Sequence, residues 1–375
     1  MVGRIRWLDL PELCCICLCH HLSTQIVRSV MASERQGSPL PFSVTTSVTE
    51  ESVRASAKRI AGQIHQTPVM TSSKLDQKTR GRKVFFKCEH LQKTGSFKVR
   101  GARSALTKLL ETGIDPSDVN LVTYSSGNFA AGLTVAAGST GIKNCTILMS
   151  RDCSPLKKTL VESLGAKVQL FTGDQERVAK PRSAVEAGAL YISSGQTYDV
   201  ISGQGTVGLE FLSQVPELDA IVVPVGGGGL ISGIATIAKA IKPNILIIGA
   251  EPSLSNSCEL SLRNGNLCQL NHVEKANSTV ADGLRVSIGS NTWPIIKEYV
   301  DDVISVSEDE IKNATLLVWH YLKQCVEPCA GVPLAAIFSE KFASLPAEVI
   351  NVGVILSGGN ISQECMRIFL QDNEN

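Results

Sequence analysis

From Glu50 onward, short apolar runs alternate with segments whose apolar residues recur at helical spacing, and this alternation leaves few folds open. The runs at 84–89, 121–124, 146–149, 168–171, 220–225, 245–249 and 352–356 read as strands. The segments at 53–64, 99–110, 129–137, 156–164, around Ala184, 230–241 and 308–322 read as helices, with one further element at 207–212. Thr67-Pro68 closes the first helix. Strands buried on both faces and joined through helices pair in parallel, because a parallel connection needs a long crossover. The expected fold class is therefore α/β, with two open, mainly parallel twisted sheets covered by helices.

Length and charge narrow the function classes. A chain of 375 residues with 43% hydrophobic and 19% charged content can bury one large core or two linked ones. Its net charge of +1 gives no general pull toward nucleic acid or an anionic membrane. No stretch after the leader is long and apolar enough to span a bilayer. Of twelve cysteines, Cys88, Cys145, Cys153, Cys258, Cys268, Cys325, Cys329 and Cys365 are scattered without paired metal spacing, which reads as reduced thiols of a cytoplasmic enzyme. Cys14, Cys15, Cys17 and Cys19 crowd into a leader that carries Arg4, Arg6 and Arg28, as a mitochondrial segment would, but also Asp9 and Glu12. Met31 reads as an alternative start, and the Ser/Pro/Thr-rich stretch to Ser47 as a flexible arm.

Four motifs carry chemistry. Lys98 stands where the 84–89 strand has just handed over to the 99–110 helix. Positive potential at a helix N-terminus opposes charging of an ammonium and suits a lysine acting as nucleophile or base, although a solvated first-turn lysine is commoner. Gly226, Gly227, Gly228 and Gly229 join a strand to a helix, so their N–H groups can converge on a phosphate with no side chain in the way. They lack the spacing of a dinucleotide fingerprint. Ser125, Ser126, Gly127 and Asn128 sit between strand and helix, suited either to capping the helix or to gripping a carboxylate. Ser357-Gly358-Gly359-Asn360 follows the last strand, as a plain turn or as a fourth wall of the same site.

Ser96-Phe97-Lys98-Val99-Arg100-Gly101 resembles the S-F-K-x-R-G motif of the pyridoxal 5'-phosphate (PLP) enzymes of the tryptophan synthase β-like class. Thr67-Pro68-Val69, the 85–89 run, Ser125 to Asn128, Gly203-Gln204-Gly205-Thr206, the glycine run and Ser357 to Asn360 recur in the order of the serine racemase and serine/threonine dehydratase family. The resemblance implies a large PLP-binding domain made of 48–118 and 196–375, a small inserted domain at 119–195, and a disordered arm at 1–47. It implies that Lys98 anchors the cofactor aldehyde and is the base on one face of the substrate, with Ser126 the base on the other. Phe97 and Gly283 would lie along the ring, Asn128 would bond its 3'-oxygen, Ser357 would face its pyridine nitrogen, and Gly226 to Gly229 would hold its phosphate. Ser125, Ser126, Gly127, Asn128 and Arg177 would bind substrate.

The activity so implied is racemisation of serine with β-elimination of serine or threonine. An ammonia-lyase without racemase activity, or a racemase of another amino acid such as aspartate, is the alternative. No regulatory C-terminal domain is expected beyond Ser357. A homodimer and ATP as an activator come with the resemblance. So does a divalent cation held by Glu251, the Ser255 carbonyl and a third ligand; Ser257 stands there instead of a carboxylate, which weakens Mg²⁺ or Ca²⁺ binding. Phe129 replaces the family's histidine after Asn128, and Val286 a serine of the vertebrate members. Lys157-Lys158 reads as a surface pair, with a phosphate partner as the other reading.

Overall fold

The runs of Val, Ile and Leu form ten strands among the described residues: β1 (Val69–Thr71), β2 (Lys83–Lys87), β3 (Asn120–Tyr124), β4 (Asn144–Ser150), β5 (Lys167–Phe171), β6 (Leu190–Tyr191), β7 (Ala220–Pro224), β8 (Leu246–Pro252), β9 (Asp302–Val306) and β10 (Asn351–Ile355). Six make a sheet in the order β1-β2-β10-β7-β8-β9, and four make a second in the order β5-β4-β3-β6. All neighbours run parallel except β1 and β2. The α/β expectation holds. The computed structural model describes residues 43–371 apart from Ser126, Asp152, Ser154, Asn271 and His272, all within the compact unit Pro41–Asn375. The leader cysteines and the arm as far as residue 42 lie outside the described residues.

Every residue of β7 is buried, because apolar layers cover both faces of the larger sheet. Three of its strands matter for the site. β10 lies between β2 and β7, with Val352 opposite Val84 on one side and Ala220 on the other. Segments far apart in sequence, those following β2, β7 and β10, therefore leave the sheet side by side at its carboxyl edge, where open parallel sheets bind ligands.

Helix crossings fix the next layer. Glycines let the Tyr198–Gln214 helix press its backbone against two others: a Cβ on Gly203 would lie 2.6 Å from Gly101 Cα, and one on Gly205 2.7 Å from the Gly233 oxygen. The Gln204 side chain accepts from Gly101 N at 3.1 Å. Beneath them, Arg100 meets Glu89 at 2.7 Å and Glu210 at 3.0 Å, while Lys87 meets Glu210 at 2.5 Å. Two buried cations face two carboxylates, with Thr67 Oγ1 donating to Glu89 at 2.6 Å.

Several helix ends differ from the sequence expectation. The first runs over Glu50–Ile60, because Thr49 and Ser52 form a capping box ahead of it and Gly62 turns the chain at φ 71° before Thr67-Pro68 is reached. The expected 308–322 helix stops at Leu317 and continues as a wider π turn to Leu322. The 207–212 element is part of the Tyr198–Gln214 helix. At the end of the expected flexible arm, Ser43, Val44 and Thr45 all donate to the Asp199 carboxylate, which also meets Lys108 at 3.1 Å. No helix among the described residues is long and apolar enough to cross a membrane.

Candidate active site

The loop after β2 delivers Lys98 as the first residue of the Lys98–Leu110 helix. Thr94 and Gly95 turn the chain through the left-handed region at φ 66° and 72°, and an antiparallel bridge pairs Ser96 with Gly358. A β-branched residue held at positive φ is strained, and such strain persists only where surrounding structure enforces it. Here Asn360 Nδ2 bonds the Thr94 carbonyl at 2.8 Å, and Gly359 N bonds the Gly95 carbonyl at 2.9 Å. The turn after β10 thus clamps the lysine loop. The buried hydroxyls of Thr94 and Ser96 find no partner among the described residues.

Lys98 is partly buried, with Nζ 4.8 Å from the centre of the Phe97 ring. Burial lowers its pKa to about 8, against the pull of Cys329 and Glu327. A helix terminus is the cause that the sequence suggests for an activated amine; desolvation is the leading one in the fold.

Glu327 was not singled out from the sequence. It precedes the Pro328–Phe338 helix, is 4% exposed, and its Oε1 accepts from Asn128 Nδ2 at 2.7 Å. Burial, reinforced by Asp282, pushes its pKa up to about 7, while Asn128, Lys157 and Lys98 oppose the rise. Asn128 Oδ1 in turn accepts from Asn360 at 2.8 Å, so the 125–128 loop and the turn after Ser357 share one hydrogen-bond chain. Cys329, also missed, accepts from Gly283 N at 3.3 Å, and burial raises its thiol pKa. An acid before Pro at a helix start is a local signal; its burial is not.

The glycine run joins β7 to the Gly229–Ile241 helix in close quarters. A Cβ on Gly226 would lie 3.2 Å from the Gly283 oxygen, one on Gly228 2.8 Å from Thr292 Oγ1, and one on Gly229 2.9 Å from the Ser194 oxygen. Gly228 has φ 84°. No acceptor among the described residues faces the N–H groups of Gly227, Gly228 and Gly229. These donors at the head of a thirteen-residue helix suit a dianion. Ser357, 4% exposed, follows β10 between this run and the lysine loop.

The family profile described as pyridoxal-phosphate dependent enzyme matches residues 60–358. The chain belongs to this family. It is 45% identical over 305 residues to the serine racemase of Homo sapiens, a match covering 80% of this chain and 88% of the relative. The solved structure of maize serine racemase superposes with a TM-score of 0.79 at 38% identity, covering 88% of this chain and 100% of that one. A threonine deaminase from T.th. superposes with a TM-score of 0.76 at 38% identity, covering 84% of this chain and 99% of that one. The residues present fit the family's cofactor: an amine with a lowered pKa, a glycine cradle with unclaimed donors, and buried hydroxyls without partners meet at one sheet edge.

The remaining expected residues divide. Gly283 touches the glycine run, and Val286 reaches within 3.9 Å of a Cβ placed on Gly227. Gly127 and Asn128 lie at the start of the Asn128–Ser139 helix, beside Ser125. Ser126 lies outside the described residues. Phe129 is 2% exposed and belongs to the core with Leu106 and Leu133, so no substitute for the family's imidazole is offered at that position. Arg177, in the Gly173–Glu186 helix, lies over the Tyr124 ring at 5.9 Å. Lys157 pairs with Asp282, and Lys158 with Glu162 at 2.7 Å.

The residues around Glu251 do not fit a divalent cation. Glu251 is fully buried, and its two oxygens accept from Cys258 N and Glu259 N at 3.0 Å each, capping the Ser257–Asn264 helix. Ser257 Oγ accepts from Ile288 N at 3.0 Å, and the Ser255 hydroxyl donates to the Leu284 carbonyl at 2.8 Å. Hard cations demand several oxygens of which more than one is usually anionic. No group of three or more His, Cys, Asp or Glu side chains that could hold a metal occurs among the described residues.

Proposed function

We propose that this chain racemises serine and, on the same site, eliminates the β-hydroxyl of serine or threonine to release ammonia. The observation that carries the reading is the meeting, at the carboxyl edge of β2, β10 and β7, of an amine with pKa about 8 and a glycine cradle with unclaimed donors. Similarity to serine racemases and a threonine deaminase supports the choice of substrate and of both reactions.

In this reading Lys98 would be the covalent attachment point, Gly226 to Gly229 would hold the phosphate, Asn128 would bond the ring's 3'-oxygen, and Phe97 and Gly283 would lie along the ring. When bound, pyridoxal 5'-phosphate supplies an electron sink for negative charge at the substrate's Cα. The Ser357 hydroxyl would face the ring nitrogen and, unlike a carboxylate, would not hold it protonated, which would moderate the sink. Lys98 would remove the Cα proton from one face of the substrate. Ser126 returns a proton to the other face and inverts the centre. In elimination Lys98 would take the Cα proton and pass it to the departing β-hydroxyl, which leaves as water, and the released enamine hydrolyses to the keto acid and ammonia. Ser125, Gly127, Asn128 and Arg177 orient the substrate.

No step is assigned to a cation. Activation by ATP, a homodimer, a cytoplasmic location and the division into domains at 48–118 with 196–375 and at 119–195 rest on the resemblance. The test is chiral product analysis on L-serine with keto acid measured in parallel. Ser126→Ala should suppress D-serine formation more than pyruvate formation; pyruvate with no D-serine from the unaltered protein would favour an ammonia-lyase instead.

A further inference from the structure

The 125–128 loop, which the proposed function sets against the substrate and whose residue types suit a carboxylate, has no side-chain cation of its own. Phe129 is turned into the core. An ammonium nevertheless stands at the loop: Lys157 Nζ, from the Pro155–Ser163 helix, lies 4.0 Å from where a Cβ on Gly127 would be. It bonds the carboxylate of Asp282, next to Gly283 and hence beside the glycine run. Its charge is also felt by Glu327 and Cys329. The groups facing this corner are thus Lys98 and Lys157 against Asp282 and Glu327, with the Cys329 and Cys365 thiols. An arriving carboxylate meets two acids there, so the ammonium that already stands at the loop bears directly on its binding.

We propose that Lys157 is a substrate-binding residue that takes the α-carboxylate of the incoming amino acid in exchange for Asp282. This deepens the functional reading above and rests on it. The exchange is feasible because the resting pair is not sealed from water: the side chains of Lys157 and Asp282 are 26% and 40% exposed, and ion pairs of that kind are weak. A substrate carboxylate seated at the start of the Asn128–Ser139 helix offers the ammonium a hydrogen-bonded partner in place of Asp282. Asp282 then keeps Lys157 extended toward the cleft until substrate arrives.

The test uses the holoenzyme with Lys157→Gln, Lys157→Arg and Asp282→Asn, each first checked for retained cofactor absorption. Steady-state rates with L-serine are measured beside spectral titration with L-serine and with L-serinamide, which lacks the carboxylate charge. Lys157→Gln should raise KM and the titration midpoint for L-serine roughly 10- to 100-fold, as expected for loss of one charged hydrogen bond, with kcat changed less than about threefold. L-serinamide binding should be unmoved, Lys157→Arg should restore most of the loss, and Asp282→Asn should leave L-serine binding equal or tighter. Equal weakening toward both ligands, or an Asp282→Asn variant as impaired as Lys157→Gln, would make the pair a structural clasp and overturn the proposal. Failure of the unaltered enzyme to bind or turn over L-serine would instead overturn the functional reading, and this inference with it.

Discussion

Removing Arg100 tests whether the buried charges beneath the active site act as one unit. Arg100 is 1% exposed and Glu89 0%; the guanidinium reaches Glu89 through Nε and Nη2 at 2.7 Å each and Glu210 through Nη1 at 3.0 Å. Arg100→Met keeps the packing volume and leaves two carboxylates facing one cation, Lys87. Breaking a buried pair from one side costs about 3–5 kcal/mol, because a desolvated charge is left uncompensated. At roughly 2 °C per kcal/mol for a protein of this size, the thermal midpoint should fall by about 6–10 °C. Glu89→Gln combined with Arg100→Met removes one charge of each sign, so the double variant should lose less than the summed single losses, by about 1–3 kcal/mol. Thermal melts at several scan rates, with urea titrations of the same four proteins, give the comparison. A drop under about 2 °C for Arg100→Met, or strict additivity in the double variant, would refute the view of a coupled network.

Two further outcomes are expected. Because burial holds the Lys98 amine near a pKa of about 8, capture of PLP by the apo-protein should slow about tenfold per unit as pH falls below 7 and level off above about 8; a bend near 10.5 would contradict this. Stability carries a matching sign: between about 8 and 10.5 the unfolded chain binds more protons at this residue, so its contribution to stability rises with pH there and is lost as pH falls. Millimolar Mg²⁺ or Ca²⁺ should raise the melting midpoint by less than about 1 °C, and a shift above about 5 °C would show that the Glu251 region binds the ion despite its closed hydrogen bonding.

Strands made of consecutive Val and Ile could be read directly, since such runs suit a layer buried on both faces. β1 and β6 are three and two residues long and carry no pattern of their own; their pairing with β2 and β3 defines them. Lys98, the glycine run and Ser357 were legible because each combines a residue type with a strand or helix boundary. Glu327 and Cys329 were not, because their importance lies in burial beside Lys98, and burial of an acid is decided by packing from distant segments. The Lys157–Asp282 pair joins residues 125 positions apart and leaves no local trace. Glu251 shows the opposite case: its place in the sequence matches a ligand, but amides of the following helix claim both oxygens.

Where Gly101 meets Gly203 and Gly233 meets Gly205, main chain rests on main chain. The spacing between the Lys98 amine on one helix and the glycine run at the head of another is thereby gauged by the thickness of polypeptide backbone, a dimension that rotamer motion and repacking of neighbours cannot alter. Tolerance to mutation elsewhere in the core should accordingly be wide, whereas adding even a methyl group at these four points would pry the helices apart, and with them the attachment point and phosphate site proposed above.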